Sequence, residues 1–157
     1  MTPLIVLLVC FGLLYAVNRF FLSNALSVSF IGRAALSAML LVTGIAHFTS
    51  TSLMVEMMPD FLPYKKETIY LTGALELLAA TGLLVDKTAK LTAVCLILFL
   101  LAILPANIAG SFKQVKLGGM ENGAMYLLFR IPLQIFFIFW VYYFGIRLKN
   151  LAAEERR

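Results

Sequence analysis

The chain has 157 residues, 62% of them hydrophobic and only 13% charged, with a mean hydropathy of +0.94, which excludes an ordinary soluble domain. At roughly twenty residues per span the length suits one membrane bundle of about five spans, and no separate soluble domain is expected. The net charge of +5 does not read as a nucleic-acid surface, because the basic residues stand at the ends of apolar runs, where they act as orientation signals.

In chain order, the first apolar run is Pro3 to Leu22, interrupted by Asn18 and Arg19. No basic stretch precedes it, and LLVC around Cys10 lacks the basic start and small residue of a lipoprotein site, so an uncleaved first span is expected. The connection Ser23 to Ser29 leads to a second span, Ile31 to Phe48. Along it Arg33, Ser37, Leu40, Gly44 and His47 recur at steps of four and three, which sets them on one inward-facing stripe. Thr49 to Glu67 mixes Met54, Met57, Met58 and Phe61 with Glu56, Pro59, Asp60 and Pro63. It is too apolar to float freely and reads as an interfacial or re-entrant cap, with Tyr64, Lys65 and Lys66 at headgroup level.

The third span, Thr68 to Val85, carries Glu76. A carboxylate at bilayer depth costs a few kcal/mol, so it is expected to face the protein interior, find a partner or bind a proton. Thr72, Gly73, Glu76, Ala79, Ala80 and Leu83 share its helical face, and small residues mark close helix packing in lipid. A turn at Asp86, Lys87 and Thr88 precedes the fourth span, Leu91 to Ala109, where Pro105 removes an amide donor and Asn107 reads as a helix-terminating residue. The loop Gly110 to Gly123 follows, then a last span, Ala124 to Gly145, with Arg130, Pro132 and Gln134, and a charged tail, Arg147 to Arg157.

Alternation of direction brings His47, Glu76, Asn107, Arg130 and Gln134 to one level of the membrane. Glu76 and Arg130 lie at comparable depth and are expected to pair, either as a structural ion pair or as part of a polar pocket lidded by the Met-rich segment. His47 has a bland reading as an interfacial histidine at a helix end and a functional one in proton transfer. Met54, Met57 and Met58 beside His47 have the chemistry of Cu(I) ligands, but flexible packing explains them without one, and no metal site is expected. Cys10 and Cys95 form no C-x-x-C pair, and the chain has no Gly-rich phosphate loop, zinc spacing or G-x-S-x-G elbow. With the N-terminus outside, the inner side receives Arg19, Arg33, Lys87, Lys90, Arg147, Lys149, Arg156 and Arg157 against Lys65, Lys66, Lys113, Lys116 and Arg130 outside. The bias favours N-out and C-in.

Arg33 followed by Gly44-Ile45-Ala46-His47-Phe48, the Pro59 and Pro63 segment, Gly73-x-x-Glu76 leading to Gly82-Leu83-Leu84, and Pro105-Ala106-Asn107 together resemble the DoxX-like family of small membrane proteins. The resemblance covers roughly Phe30 to Gly145 and implies an all-α integral membrane bundle. A four-helix core would occupy residues 30–146, with an extra N-terminal transmembrane helix and its connection in residues 1–29 and a charged cytoplasmic tail in 147–157. Some members of that family are subunits of a thiosulfate:quinone oxidoreductase, some belong to complexes handling thiol and oxidative stress, and a distant animal relative is an assembly chaperone for nicotinic acetylcholine receptors. Arg33, His47, Glu76 and Asn107 match the family pattern.

The combined expectation is a bacterial inner-membrane protein whose pocket, drawn from Arg33, His47, Glu76, Asn107, Arg130 and Gln134, binds a quinone or another lipid-like molecule. Its partners would be the bilayer and a membrane or redox protein. The alternatives are a non-enzymatic assembly factor or accessory subunit and, with less support because no inverted repeat is visible, a small transporter.

Overall fold

The computed structural model describes residues 2–148, and all its regular elements there are helical. They are α1 (Thr2–Phe20), α2 (Val28–Thr49), α3 (Thr51–Met57), α4 (Lys65–Leu84), α5 (Asp86–Phe112), a 3-10 turn (Met120–Asn122) and α6 (Ala124–Tyr142), which continues into a π-helical turn (Tyr143–Arg147). The expected tail lies outside the described residues beyond Leu148.

Four helices are long and apolar enough to cross a membrane: α1, α2, α5, and α6 with its π turn. The fifth expected span, α4, has the length, 20 residues, but Lys65, Lys66, Glu67 and Glu76 dilute its apolar character. α2 is the axis of the bundle. Of its most apolar stretch 56% is buried, against 11% for α1, so α1 lies at the edge with most of its surface turned outward.

The joints explain why these segments stop where they do. Asn18 closes the α1–α2 turn twice, donating to the Leu26 carbonyl at 3.0 Å and accepting from the Leu26 amide at 2.9 Å. Ser27 then caps α2 by accepting from the Phe30 amide, a contact of about 0.5–2 kcal/mol. Two expectations fail at α5. It starts at Asp86 rather than Leu91, leaving Val85 alone as the hinge, because Thr88 Oγ1 donates back to the Gly82 carbonyl at 2.8 Å and fastens the first turn of α5 onto the last turn of α4. It also runs through Pro105 to Phe112, so Asn107 does not terminate it. A proline inside a span frees the carbonyl four residues earlier, here Leu101, and Gln134 of α6 donates to the neighbouring Leu100 carbonyl at 2.6 Å.

The Met-rich connection folds as the short helix α3, with Met58 buried and Met57 against Gly110 of α5. Asp60 clamps it. Its Oδ1 takes Lys113 Nζ at 2.6 Å and Lys65 Nζ at 3.3 Å, tying the cap to the end of α5 and the start of α4. Lys113, then Lys65, hold the Asp60 carboxyl below the usual carboxylate range. A lowered value makes this clamp present at neutral pH and lost as the pH falls below about 4, through the lowered value. Asp60→Asn should reproduce the acid state at pH 7: hydrogen exchange in residues 58–64 accelerates while the melting temperature barely moves, since Asp60 is exposed.

Candidate functional site

Polar side chains run the length of the α2–α4 seam. Where α2 begins, Arg33, 3% exposed, donates to the Leu83 carbonyl at 2.8 Å and to Asp86 Oδ1 at 2.6 Å, so it ties down the C-terminal turn of α4. In the middle, Ser37 Oγ donates to the Ala80 carbonyl at 2.7 Å. Toward the far end Gly44 and Gly73 meet, and a Cβ on Gly73 would stand 2.6 Å from His47 Cβ and 3.2 Å from the Gly44 carbonyl oxygen. That approach of the two backbones lets His47 reach over α4.

Glu76, 6% exposed, sits just beyond this crossing. Its Oε2 accepts from Thr43 Oγ1 at 2.5 Å and its Oε1 lies 3.4 Å from His47 Nε2. On the other side of the imidazole, Nδ1 is 3.1 Å from both the Ile69 carbonyl and Thr72 Oγ1, while the Thr72 hydroxyl itself donates to Ile69. Both neighbours of Nδ1 therefore act as acceptors, which assigns the proton to Nδ1. Nε2 is left facing Oε1 of Glu76.

A second polar group lies across the bundle on α5 and α6. Arg130 Nη2 donates to Asn107 Oδ1 at 3.1 Å, and the Asn107 amide donates to the Ile103 carbonyl at 3.2 Å. Tyr126 stands one turn earlier on α6, within electrostatic reach of Arg130. Gln134, 2% exposed, lies one turn further on. Arg130 is within electrostatic reach of Glu76, but among the described residues no carboxylate stands at ion-pair distance from it.

The expected residues thus divide. His47 and Glu76 are joined directly, Asn107 and Arg130 are joined directly, and Gln134 follows Arg130 on α6. Arg33 is at the opposite end of the seam, fourteen residues from His47 or about 21 Å of helix, and serves α4 instead. The expected Glu76–Arg130 pair is replaced by Glu76–His47, because α4 lies along α2 with Gly73, Glu76, Ala80 and Leu83 buried. Thr43 and Tyr126 went unremarked as site residues. Each stands four positions before an expected one, His47 or Arg130, and so on the same helical face.

Two open clefts mark the same end of the molecule. One, of about 540 Å³, is lined by Gly118, Gly119, Asn122, Met125, Tyr126 and Phe129. The other, about 560 Å³, lies between α3 and the 113–116 segment. Tyr126, on the wall of the first, stands one turn before Arg130 on α6.

A bundle of this kind, with apolar spans and a divided polar centre, defines an integral membrane protein by composition. More particularly, the chain belongs to the family of a domain of unknown function (DUF8561), whose model matches residues 36–145. The match omits α1 and begins within α2. No curated protein and no solved structure matches the chain.

Proposed function

We propose that this is a multi-pass membrane protein whose polar centre binds a small amphipathic molecule, a quinone or another lipid-like ligand, within a membrane oxidoreductase or oxidative-stress complex. One observation supports this above the others: Arg130, a guanidinium inside an apolar span, donates to the Asn107 amide oxygen, and among the described residues no carboxylate stands at ion-pair distance from it. A cation held in that way favours an oxygen-bearing headgroup. The His47–Glu76 pair, with Nε2 and Oε1 3.4 Å apart, joins two side chains able to carry a proton and is suited to exchange one with a ligand bound alongside. In this reading α4 crosses beside α2 as a fifth span, the N-terminus is outside, and the centre opens toward the outer leaflet of a bacterial inner membrane. The DoxX-like resemblance, carried by sequence motifs, agrees with it.

Mass spectrometry of small molecules extracted from protein purified in mild detergent tests the proposal. A defined quinone or lipid enriched in wild type and lost from Glu76→Gln is the expected result; equal, unspecific lipid in both would overturn it.

The second reading is an assembly factor or accessory subunit. It is favoured by α1, which lies outside the family match and exposes Ile5, Leu8, Leu13 and Tyr15 to whatever surrounds the bundle. In that case the polar centre holds helix register alone, and crosslinking from α1 would capture a membrane partner.

A further inference from the structure

Among the described residues three buried side-chain atoms have no hydrogen-bond partner: Arg33 Nε, Arg130 Nε and Gln134 Oε1. Arg33 stands apart, at the other end of the seam, with both of its terminal nitrogens engaged. The remaining two form a set. They are four residues apart and so share a face of α6, and they have opposite hydrogen-bonding sense. Arg130 Nε carries a hydrogen and can only donate; Gln134 Oε1 can only accept, its amide nitrogen being committed to the Leu100 carbonyl.

We infer that Arg130 and Gln134 form a subsite for a hydroxyl group borne on an amphipathic molecule, the hydroxyl oxygen accepting from Arg130 Nε and its hydrogen donated to Gln134 Oε1. The inference rests on the amphiphile-binding reading above and narrows it. A carbonyl or ether oxygen satisfies Arg130 and leaves Gln134 Oε1 buried without a donor; a hydroxyl satisfies both, and leaving a buried polar atom unpaired is what discriminates strongly between ligands. The surroundings suit a head and a tail. Tyr126, one turn before Arg130 on this face, lines the cleft of about 540 Å³. Ile131 and Ile135, each next to a member of the pair, are exposed and offer apolar surface on the flank. A phenol or hydroquinone and the glycerol hydroxyl of a lipid share the required chemistry.

The test compares 4-nonylphenol with 4-nonylanisole, identical except that the anisole cannot donate, titrated against nanodisc-embedded protein by native mass spectrometry. The phenol is expected to bind at least about tenfold tighter to wild type. That preference should vanish in Gln134→Met, whereas Arg130→Lys, which keeps the positive charge but has no Nε, should weaken both probes by a similar factor and leave the preference in place. Because Gln134→Met also removes the bond to Leu100, the Arg130→Lys result stands if the first variant fails to fold. Competition by monoolein that depends on Gln134 would identify a glycerol lipid as the source, and its absence a phenolic one; both support the subsite. Equal, saturable binding of phenol and anisole that is lost in Glu76→Gln would overturn the hydroxyl subsite, leaving it to water, while retaining the amphiphile site. Saturable binding of neither probe would overturn both.

Discussion

Gly73→Leu should prevent recovery of monodisperse protein, while Gly12→Leu should behave as wild type. Both glycines sit within long helices, so helix propensity alone predicts the same small change, slightly stabilising, at either site. What differs is what a side chain would meet. At Gly12 of α1 a Cβ finds nothing within 4 Å. At Gly73 it finds His47 Cβ at 2.6 Å, Phe48 Cε2 at 3.0 Å and the Gly44 carbonyl oxygen at 3.2 Å. The last of these is backbone and cannot swing aside, so the helices would have to part. Gly73→Ala, the mildest version, should cost about 1–3 kcal/mol by overpacking, or a fall in melting temperature of roughly 2–10 °C for a chain of this length. The leucine requires a larger separation, and in a bilayer the two helices have no hydrophobic drive to compensate for lost contact. Normal yield and melting temperature for Gly73→Leu in detergent would mean that α2 and α4 do not cross at this point.

The same crossing shows what sequence reasoning reaches and where it stops. Small residues sharing a face with Glu76 indicated that α4 would pack closely, and they do line the seam. Alternation of direction placed His47, Glu76, Asn107 and Arg130 at one level, since level depends only on counting residues from helix ends. Partner choice depends on the rotation of each helix about its axis and on which helices are neighbours. Neither is encoded in a count, and so Glu76 was expected to meet Arg130 when it meets His47 and Thr43. Arg33 illustrates the converse: the stripe correctly predicted its face but carries no information on which end of the seam is the site. The limits of α5 were hidden for another reason. Asp86, Lys87 and Thr88 read as a turn because they are polar, yet long charged side chains at a helix end reach the interface without breaking the helix. Pro105 and Asn107 read as a stop, but α5 runs through both to Phe112.

The His47–Glu76 pair leads to the second large effect, whose signature is an inversion. His47→Leu leaves Glu76, 6% exposed, with Thr43 as its remaining hydrogen-bond partner, and Glu76→Leu leaves the imidazole Nε2 facing an apolar side chain. Removing one member of a buried pair typically costs about 3–5 kcal/mol, whereas replacing both by apolar groups of similar volume is often close to neutral. Each single variant should therefore melt at least about 6 °C below wild type in detergent, and the double variant His47→Leu/Glu76→Leu should melt above both. The two singles should not be equal. Glu76 also acts electrostatically on Arg130, so Glu76→Leu removes a negative charge that favours a cation in an apolar span and should be the worse of the two. The shortfall of the double variant from wild type then measures what Glu76 does for Arg130, and adding Arg130→Met should reduce it. Losses in the double variant equal to the sum of the singles would show that the two residues act independently, and the polar centre would then have to be understood through Arg130, Asn107 and Gln134 alone.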